Sequence, residues 1–338
     1  MVWIGVEGGL NGWSASLCDT DARRMFRINS FGRWLRQKFG SPVFKLSIDG
    51  GFTCPNRDGT VAWGGCTYCN NDSFRPESAG PVEPVEVQIA AGVDYLSERF
   101  KADRFLVYWQ SYTNTYAPVD ELKKLYLQAF DADPRIVGMT VGTRPDCVEE
   151  EKLEMLEGLA RDYYVCMEYG LESIYEDTLS KVNRGHDLAC YRDAVSRTRR
   201  RGLDICSHVI LGLPGETREQ LMAYAPVLNE LGVQFVKLHH LHLVKGSRMA
   251  KEFKARPFPL FEFEEWVTFI CSFLERLDPA IVVQRLFGWT PEEHLVAPHW
   301  RKNKPLVYRA ILHELELRDS WQGKALGCPP PDGTFSVQ

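Results

Sequence analysis

Short continuous apolar runs alternate with stretches of helical periodicity from residue 44 onward. Runs at 44–48, 105–110, 136–141, 163–169, 204–211 and 235–241 read as strands buried on both faces. Between them Leu122, Leu125 and Ala129 recur at helical spacing, as do Leu153, Leu156 and Ala160. The pattern predicts helices near 84–100, 119–130, 149–160, 188–201, 218–231 and 261–276, with Pro226 kinking or interrupting the fifth. Six strand–helix units in alternation predict an α/β fold with a parallel sheet covered by helices. Beyond 276, residues 280–286 read as a further strand and 306–317 as a helix, followed by a coil-like tail from Gly323.

Composition narrows this little. The 338 residues, 44% hydrophobic and 25% charged, suit one barrel domain or two small ones. A formal charge of −5 excludes a protein coated in positive charge but leaves room for a local basic groove. No apolar run reaches the roughly 18 residues of a membrane helix, and no signal-like segment opens the chain, so the expected compartment is the cytoplasm. Residues 1–20 are glycine-rich and poorly periodic, while 22–39 place Phe26, Phe31, Trp34 and Leu35 among arginines and a lysine. A helix packing its aromatic side on the domain is the plainer expectation for that basic segment, and nucleic-acid contact the sharper one.

Candidate chemistry concentrates after the first strand. There a glycine-rich loop brings Cys54, Cys66 and Cys69 within sixteen residues. Three thiols without a neighbouring histidine fit iron–sulfur ligation better than structural zinc, which needs four protein ligands. Zinc, a redox dithiol at Cys66/Cys69 and plain buried thiols remain alternatives at this point. The glycines from Gly50 to Gly65 permit tight bends around a bulky ligand, with Tyr68 between the paired cysteines. The other seven cysteines are scattered singly, as reduced core residues are.

The spacing Cys54-x11-Cys66-x2-Cys69, with an aromatic residue before the last cysteine, resembles the radical S-adenosylmethionine (SAM) enzymes. The string from Cys54 to Phe74 resembles the YhcC family within them, relatives of the elongator catalytic subunit, over roughly residues 40 to 310. The resemblance implies a partial (β/α)6 TIM-like barrel over 41–276, with an N-terminal extension at 1–40 and a C-terminal extension at 277–338 packing on it. It further implies that the three cysteines hold a [4Fe-4S] cluster with one open iron. Reductive cleavage of SAM there would yield methionine and a 5′-deoxyadenosyl radical that abstracts a substrate hydrogen.

The residues that follow the other strands are then expected near SAM. Gln110 and Asn114, in a polar run after the second strand, suit the methionine moiety; Thr115 or Asp120 capping the next helix is the plain account of that run. Arg144 and Asp146 read either as an ion pair or as an anion contact with a loop-orienting partner. Glu172 matches the glutamate that contacts SAM in related enzymes, and Arg184 suits its carboxylate or a phosphate. His186 reads equally as a helix-capping histidine. On the fifth strand His208 alternates with apolar neighbours, while Gly212 and Gly215 allow close approach to adenine. That turn is not a GxGxxG fingerprint, which disfavours NAD.

On the sixth strand alternation places Lys237 and His239 on one face and His240 on the other. Lys237 and His239 are the candidate catalytic pair, with ordinary polar packing as the alternative. A second metal on His239, His240 and His242 is disfavoured, since strand spacing cannot make the three converge. Arg285 and 298–304 are expected to close one side of the pocket, whereas the arginines from Arg192 to Arg201 read as a solvated helix face.

By resemblance the favoured substrate is tRNA, at a wobble-uridine side chain, with flavodoxin or ferredoxin as reductant and a monomer or weak homodimer as the acting form. Too few residues follow 310 for the acetyltransferase domain of the elongator relative, so acetyl-CoA chemistry is not expected. A small molecule or peptide substrate is the nearest alternative. A noncatalytic iron–sulfur or zinc module for RNA recognition is the alternative of a different class.

Overall fold

In the computed structural model, which describes residues 26–70 and 82–331, the strand–helix alternation is realised as a curled parallel sheet. Its strands are β1 (Phe44–Ile48), β2 (Phe105–Trp109), β3 (Ile136–Thr143), β4 (Tyr164–Glu172), β5 (Asp204–Leu211), β6 (Phe235–His240) and β8 (Val282–Arg285). They pair in that order, every pair parallel. A second, antiparallel sheet joins β7 (Leu243–Val244) to β9 (Leu295–Ala297). The helices are α1 (Phe31–Phe39), α2 (Val85–Phe100), α3 (Val119–Asp131), α4 (Glu150–Leu159), α5 (Glu176–Lys181) and α6 (Leu188–Arg200). They continue as α7 (Arg218–Met222), α8 (Tyr224–Leu231), α9 (Arg248–Ala255), α10 (Phe263–Leu274) and α11 (Lys304–Leu317).

The expected α/β half-barrel is therefore present, with β8 adding a seventh strand to the six-unit pattern. Pro226 falls in the first turn of α8, after the break at Ala223 that separates it from α7. A missing N–H is harmless there, because the first amides of a helix have no partner inside it. The small β7–β9 sheet escaped sequence reading because two- and three-residue strands carry no periodicity. The tail forms a 3₁₀ turn at Lys324–Leu326 rather than coil alone. The expectation for residues 1–20 and the start of the basic segment at 22–25 lie outside the described residues.

Alternation sorts each strand into two faces. Leu46, Ile48, Val107, Met139, Met167, Val209 and Leu238 point outward into the main core beneath the helices. Leu106, Cys166, Cys206, Phe235 and Val282 point inward at the strand-start end, where α1 closes the barrel like a plug. Phe31 meets Phe235 edge-on at 5.5 Å, and Trp34 does so at 4.8 Å. The aromatic side of the basic segment thus packs on the domain. Gly40 ends α1 in a left-handed conformation, φ 74°, and its N–H reaches the Arg36 carbonyl at 2.8 Å.

The segment before α1 runs beside β8, where the Val283 N–H donates to Asn29 O at 2.8 Å. Gln322 locks that segment in place. Its Oε1 accepts from Asn29 N at 3.0 Å, while its Nε2 donates to Asp278 O and Ile281 O, both at 2.8 Å. Segments from near both ends of the described chain thereby meet beside the edge strand β8. Among the described residues no helix is long and apolar enough to cross a membrane.

Leu35 is fully buried in the plug, so Leu35→Ala is expected to lower unfolding stability by about 2–5 kcal/mol in a urea titration. Unchanged stability would return the segment to a surface role.

Candidate active site at the mouth of the half-barrel

Above the apolar plug the barrel interior turns polar. Lys45 of β1 donates to Gln284 Oε1 of β8 at 2.8 Å, across the gap between the two edge strands. Glu168 of β4 accepts from Tyr108 Oη at 2.7 Å and Lys237 Nζ at 2.8 Å, and its second oxygen lies 2.7 Å from the same ammonium. All of these side chains are buried. Burial would raise the Glu168 carboxyl, but Lys237 and Lys45 hold it down at about 2. Burial would lower Lys237, yet Glu168 outweighs it and raises the ammonium above its ordinary value. Lys45, with burial and the Lys237 charge both against it, sits at about 8.

One layer nearer the strand ends, His208 Nε2 and His239 Nε2 lie 2.7 Å apart, and Arg285 NH1 lies 3.0 Å from the same His239 nitrogen. A guanidinium only donates, so His239 Nε2 accepts and the shared proton belongs to His208. Burial pulls both imidazoles below the ordinary histidine range, which keeps the pair neutral at pH 7. His240 faces the other way. It stacks on Trp300 at 3.8 Å and pairs with His242, Nε2 to Nε2, at 2.7 Å. The three histidines of β6 and its exit do not converge, as alternation predicts.

Glu172 closes β4 at φ +64°, where the β4–β5 register shifts. A left-handed backbone is costly for a residue with a side chain, and such strain gathers where geometry serves function. The carboxylate is buried; its Oε1 lies 3.7 Å from Arg184 NH2, and its Oε2 has no hydrogen-bond partner. Arg184 NH2 donates to Gly170 O at 2.8 Å and NH1 to Cys66 Sγ at 3.7 Å. A side chain at Gly170 would collide with both Glu172 and Arg184.

The cysteine loop is buckled onto the turn between α5 and α6. Asn56 Nδ2 donates to Asn183 O at 2.6 Å and to Cys66 Sγ at 3.5 Å, while Asn183 Nδ2 reaches Gly65 O at 2.9 Å. Arg57 NH2 donates to Cys69 O at 3.2 Å and to Cys69 Sγ at 3.7 Å. Cys66 is buried, and Cys54 and Cys69 are half-buried. Burial pushes the Cys69 thiol up to about 11; the Cys66 and Cys54 charges add to this and Arg57 opposes it. Cys69 thus feels the charge of both other thiols of the loop. Among the described residues no group of three His, Cys, Asp or Glu side chains stands in metal-holding geometry. The donor chemistry nevertheless fits an iron–sulfur cluster: three soft sulfurs on one wrapped loop, two of them facing guanidinium donors that offset thiolate charge.

The remaining sequence candidates take definite places. Gln110 donates its backbone N–H to Ile48 O at 3.2 Å, ahead of Ser111 and Tyr112, both with positive φ. Asn114 is buried; its Nδ2 bonds Gly142 O at 2.7 Å and Ser111 O at 3.1 Å, leaving Oδ1 without a partner. Thr115 does not cap α3, whose preceding residue is Pro118 with no capping bond; it bonds Thr143 Oγ1 and Cys147 O, each at 2.6 Å. Arg144 is engaged by Asp146 through two bonds, 2.8 and 2.6 Å, and donates to Arg184 O at 2.8 Å. Asp187, not His186, caps α6. Gly212 and Gly215 have φ of 98° and 99°, which any other residue would strain to adopt, and Thr217 caps α7. Sequence reading passed over Lys45, Tyr108, Asn56 and Arg57. The lone lysine of the apolar run at 44–48 was the available signal for the first.

Residues 54–225 match the family described as the radical SAM superfamily, and residues 233–316 match the radical SAM C-terminal domain. The chain belongs to the radical SAM superfamily. It is 39% identical over 307 residues to Protein YhcC of Escherichia coli K12, covering 90% of this chain and 97% of that one. It is 27% identical over 144 residues to the tRNA uridine(34) acetyltransferase of Methanocaldococcus infernus, covering 41% of this chain and 26% of that one. In fold it is similar to the solved Methanocaldococcus infernus Elp3 lacking residues 1–46, with TM-score 0.65 and 16% identity. That likeness covers 83% of this chain and 64% of the Elp3 chain. By family this radical SAM chain is an enzyme.

The buried charges make a testable demand on stability. Because the folded Glu168 carboxyl is depressed to about 2, its contribution is complete above the ordinary glutamate range near pH ~4.3 and is lost as pH falls toward 2. Glu168→Gln is expected to cost about 3–5 kcal/mol at pH 7 by leaving buried ammonium charge without its carboxylate. The gap from the unmodified protein should narrow on acidification, measured by urea unfolding across that range. A gap that stays constant with pH would contradict the assignment.

Proposed function

We propose that Cys54, Cys66 and Cys69 hold a [4Fe-4S] cluster at the mouth of the half-barrel and that SAM binds beside it, for modification of a wobble uridine in tRNA. The observation that carries this reading is the cysteine loop itself. It follows the C-terminal end of β1, the end at which half-barrel and barrel enzymes keep their ligands, and is fastened by Asn56 and Asn183 to the turn between α5 and α6. Bound there, the cluster supplies one electron for reductive cleavage of the SAM sulfonium bond.

The chain's own residues have separable tasks. Arg57 and Arg184 place positive charge on two ligand sulfurs, favouring the thiolate that a cluster requires. Glu172 Oε2 and Asn114 Oδ1 are buried acceptors without partners, suited to an ammonium or a ribose hydroxyl. Gly170, Gly212 and Gly215 keep the wall bare of side chains where a cofactor would press on backbone. His208 and His239, as a neutral pair, line the mouth without adding charge. Lys237 bears on the reaction through Glu168, as the support beneath that pair.

The tRNA reading is supported by the partial similarity to tRNA uridine(34) acetyltransferase. Flavodoxin or ferredoxin is the matching class of reductant.

After anaerobic reconstitution with iron and sulfide, the full chain is expected to carry about four irons and, once reduced, to convert SAM to methionine and 5′-deoxyadenosine. Cys69→Ala should abolish the conversion. A filled zinc site with four protein ligands, or SAM left intact, would overturn the reading. Nucleoside analysis of under-modified tRNA incubated with the active enzyme should show a changed wobble uridine; unchanged tRNA would overturn that part alone.

A further inference from the structure

α9 lies against the cysteine pair and carries a charged surface that the proposed chemistry does not use. Its second residue, Met249, donates its N–H to Thr67 O at 2.8 Å, in the short segment that joins Cys66 to Cys69. Asn70 Nδ2, one residue past Cys69, donates to Lys245 O at 2.6 Å in the turn before the helix. Tyr68 packs with Met249, Ala250 and Phe253 in one apolar cluster. Ser247 caps α9 by accepting from Ala250 N at 3.1 Å, and its own hydroxyl donates to Val244 O at 2.9 Å. The backbone between the two cysteines is thus fixed to a braced helix.

The outer face of that helix is strongly basic. Residues 245–256 hold five cations and one carboxylate, in a chain whose formal charge is −5. Arg248, Lys251 and Lys254 recur every third position, so they form one stripe opposite Met249, Ala250 and Phe253. They are exposed, as are Lys245 and Arg256 at the two ends. Arg248 shares Glu252 at 3.3 Å, and the segment offers no second acid to the rest. Positive charge gathered against the overall sign of a protein attracts an acidic partner and speeds the encounter. Two kinds of acidic partner follow from the proposed function, a reductant and RNA. A substrate base has to reach the strand ends inside the mouth, whereas an electron has to reach the cysteine loop over the shortest gap. α9 touches that loop through the backbone between the cysteines, which favours the reductant.

We propose that α9 and its flanks, Lys245 to Arg256, form the docking surface for an acidic one-electron carrier protein that reduces the cluster. This rests on the cluster reading above. On docking, the carrier gives up one electron, the oxidised cluster takes it up, and no bond or proton changes hands. The electron enters through the wall of the cysteine loop, while SAM and substrate use the mouth.

The test is binding of a bacterial flavodoxin to the reconstituted full chain, by isothermal titration calorimetry over a series of salt concentrations. Affinity is expected to fall as salt rises. Reversing two charges in Lys251→Glu with Lys254→Glu should weaken binding at low salt about tenfold and flatten the salt dependence. The same variant should cleave SAM at the unmodified rate with dithionite and about tenfold more slowly with limiting reduced flavodoxin. Lys123→Glu with Lys124→Glu makes an equal change at exposed positions of α3 and should leave all of these near the unmodified values. Unchanged flavodoxin affinity in the α9 variant, an equal loss in the α3 variant, or an equal loss of dithionite-driven cleavage would overturn the surface while leaving the cluster reading intact. So would loss of tRNA binding with flavodoxin affinity retained, which would give the surface to RNA. SAM left intact with dithionite in the unmodified chain would overturn the cluster reading and the surface together.

Discussion

The hydrogen bond from Lys45 to Gln284 spans the gap that an unclosed barrel leaves between its first and last strands. An open parallel sheet has two edges and a hollow between them, and this chain fills the hollow in layers. Apolar side chains and the α1 plug close the strand-start end, and a buried charge layer crosses the middle. Glu168 balances Lys237 and bears on Lys45, so one carboxylate holds two ammonium groups inside the protein. Without it the interior would carry positive charge in a place water does not reach.

That layer is what the mouth stands on. The strand that carries Glu168 continues to the strained Glu172, and the strand that carries Lys237 continues to His239. A shift of either strand would move a side chain at the rim, and alternation allows no small slip without exchanging inward and outward faces. The cysteine loop is tied to the same rim through the Asn56 amide on Asn183 O and through Arg184, which reaches both Cys66 Sγ and Gly170 O of β4. The placement of the rim side chains thus depends on charge balance in the middle and packing at the bottom.

Much of this was legible in the sequence because it rests on local period. Apolar runs gave the strands of the sheet, alternation separated His239 from His240, and Pro226 marked the break between α7 and α8. The cysteine spacing was readable as a motif. What escaped depends on partners distant in the chain. The Lys45–Gln284 contact joins residues 239 positions apart, and β7 finds β9 only after the intervening helices are packed. Lys237 read as a catalytic candidate because its strand face was visible, whereas its engagement by Glu168 was not. Thr115 looked like a cap, but tertiary contacts to Thr143 and Cys147 claim its hydroxyl.

The central claim is that three thiols on one loop and the acceptors of the rim form a single site in which SAM meets a cluster. Electron paramagnetic resonance of the reduced, anaerobically reconstituted full chain, recorded before and after adding SAM, tests it most directly. The account predicts one cluster signal whose g-values shift when SAM is added. A cluster signal that SAM leaves unchanged would contradict it.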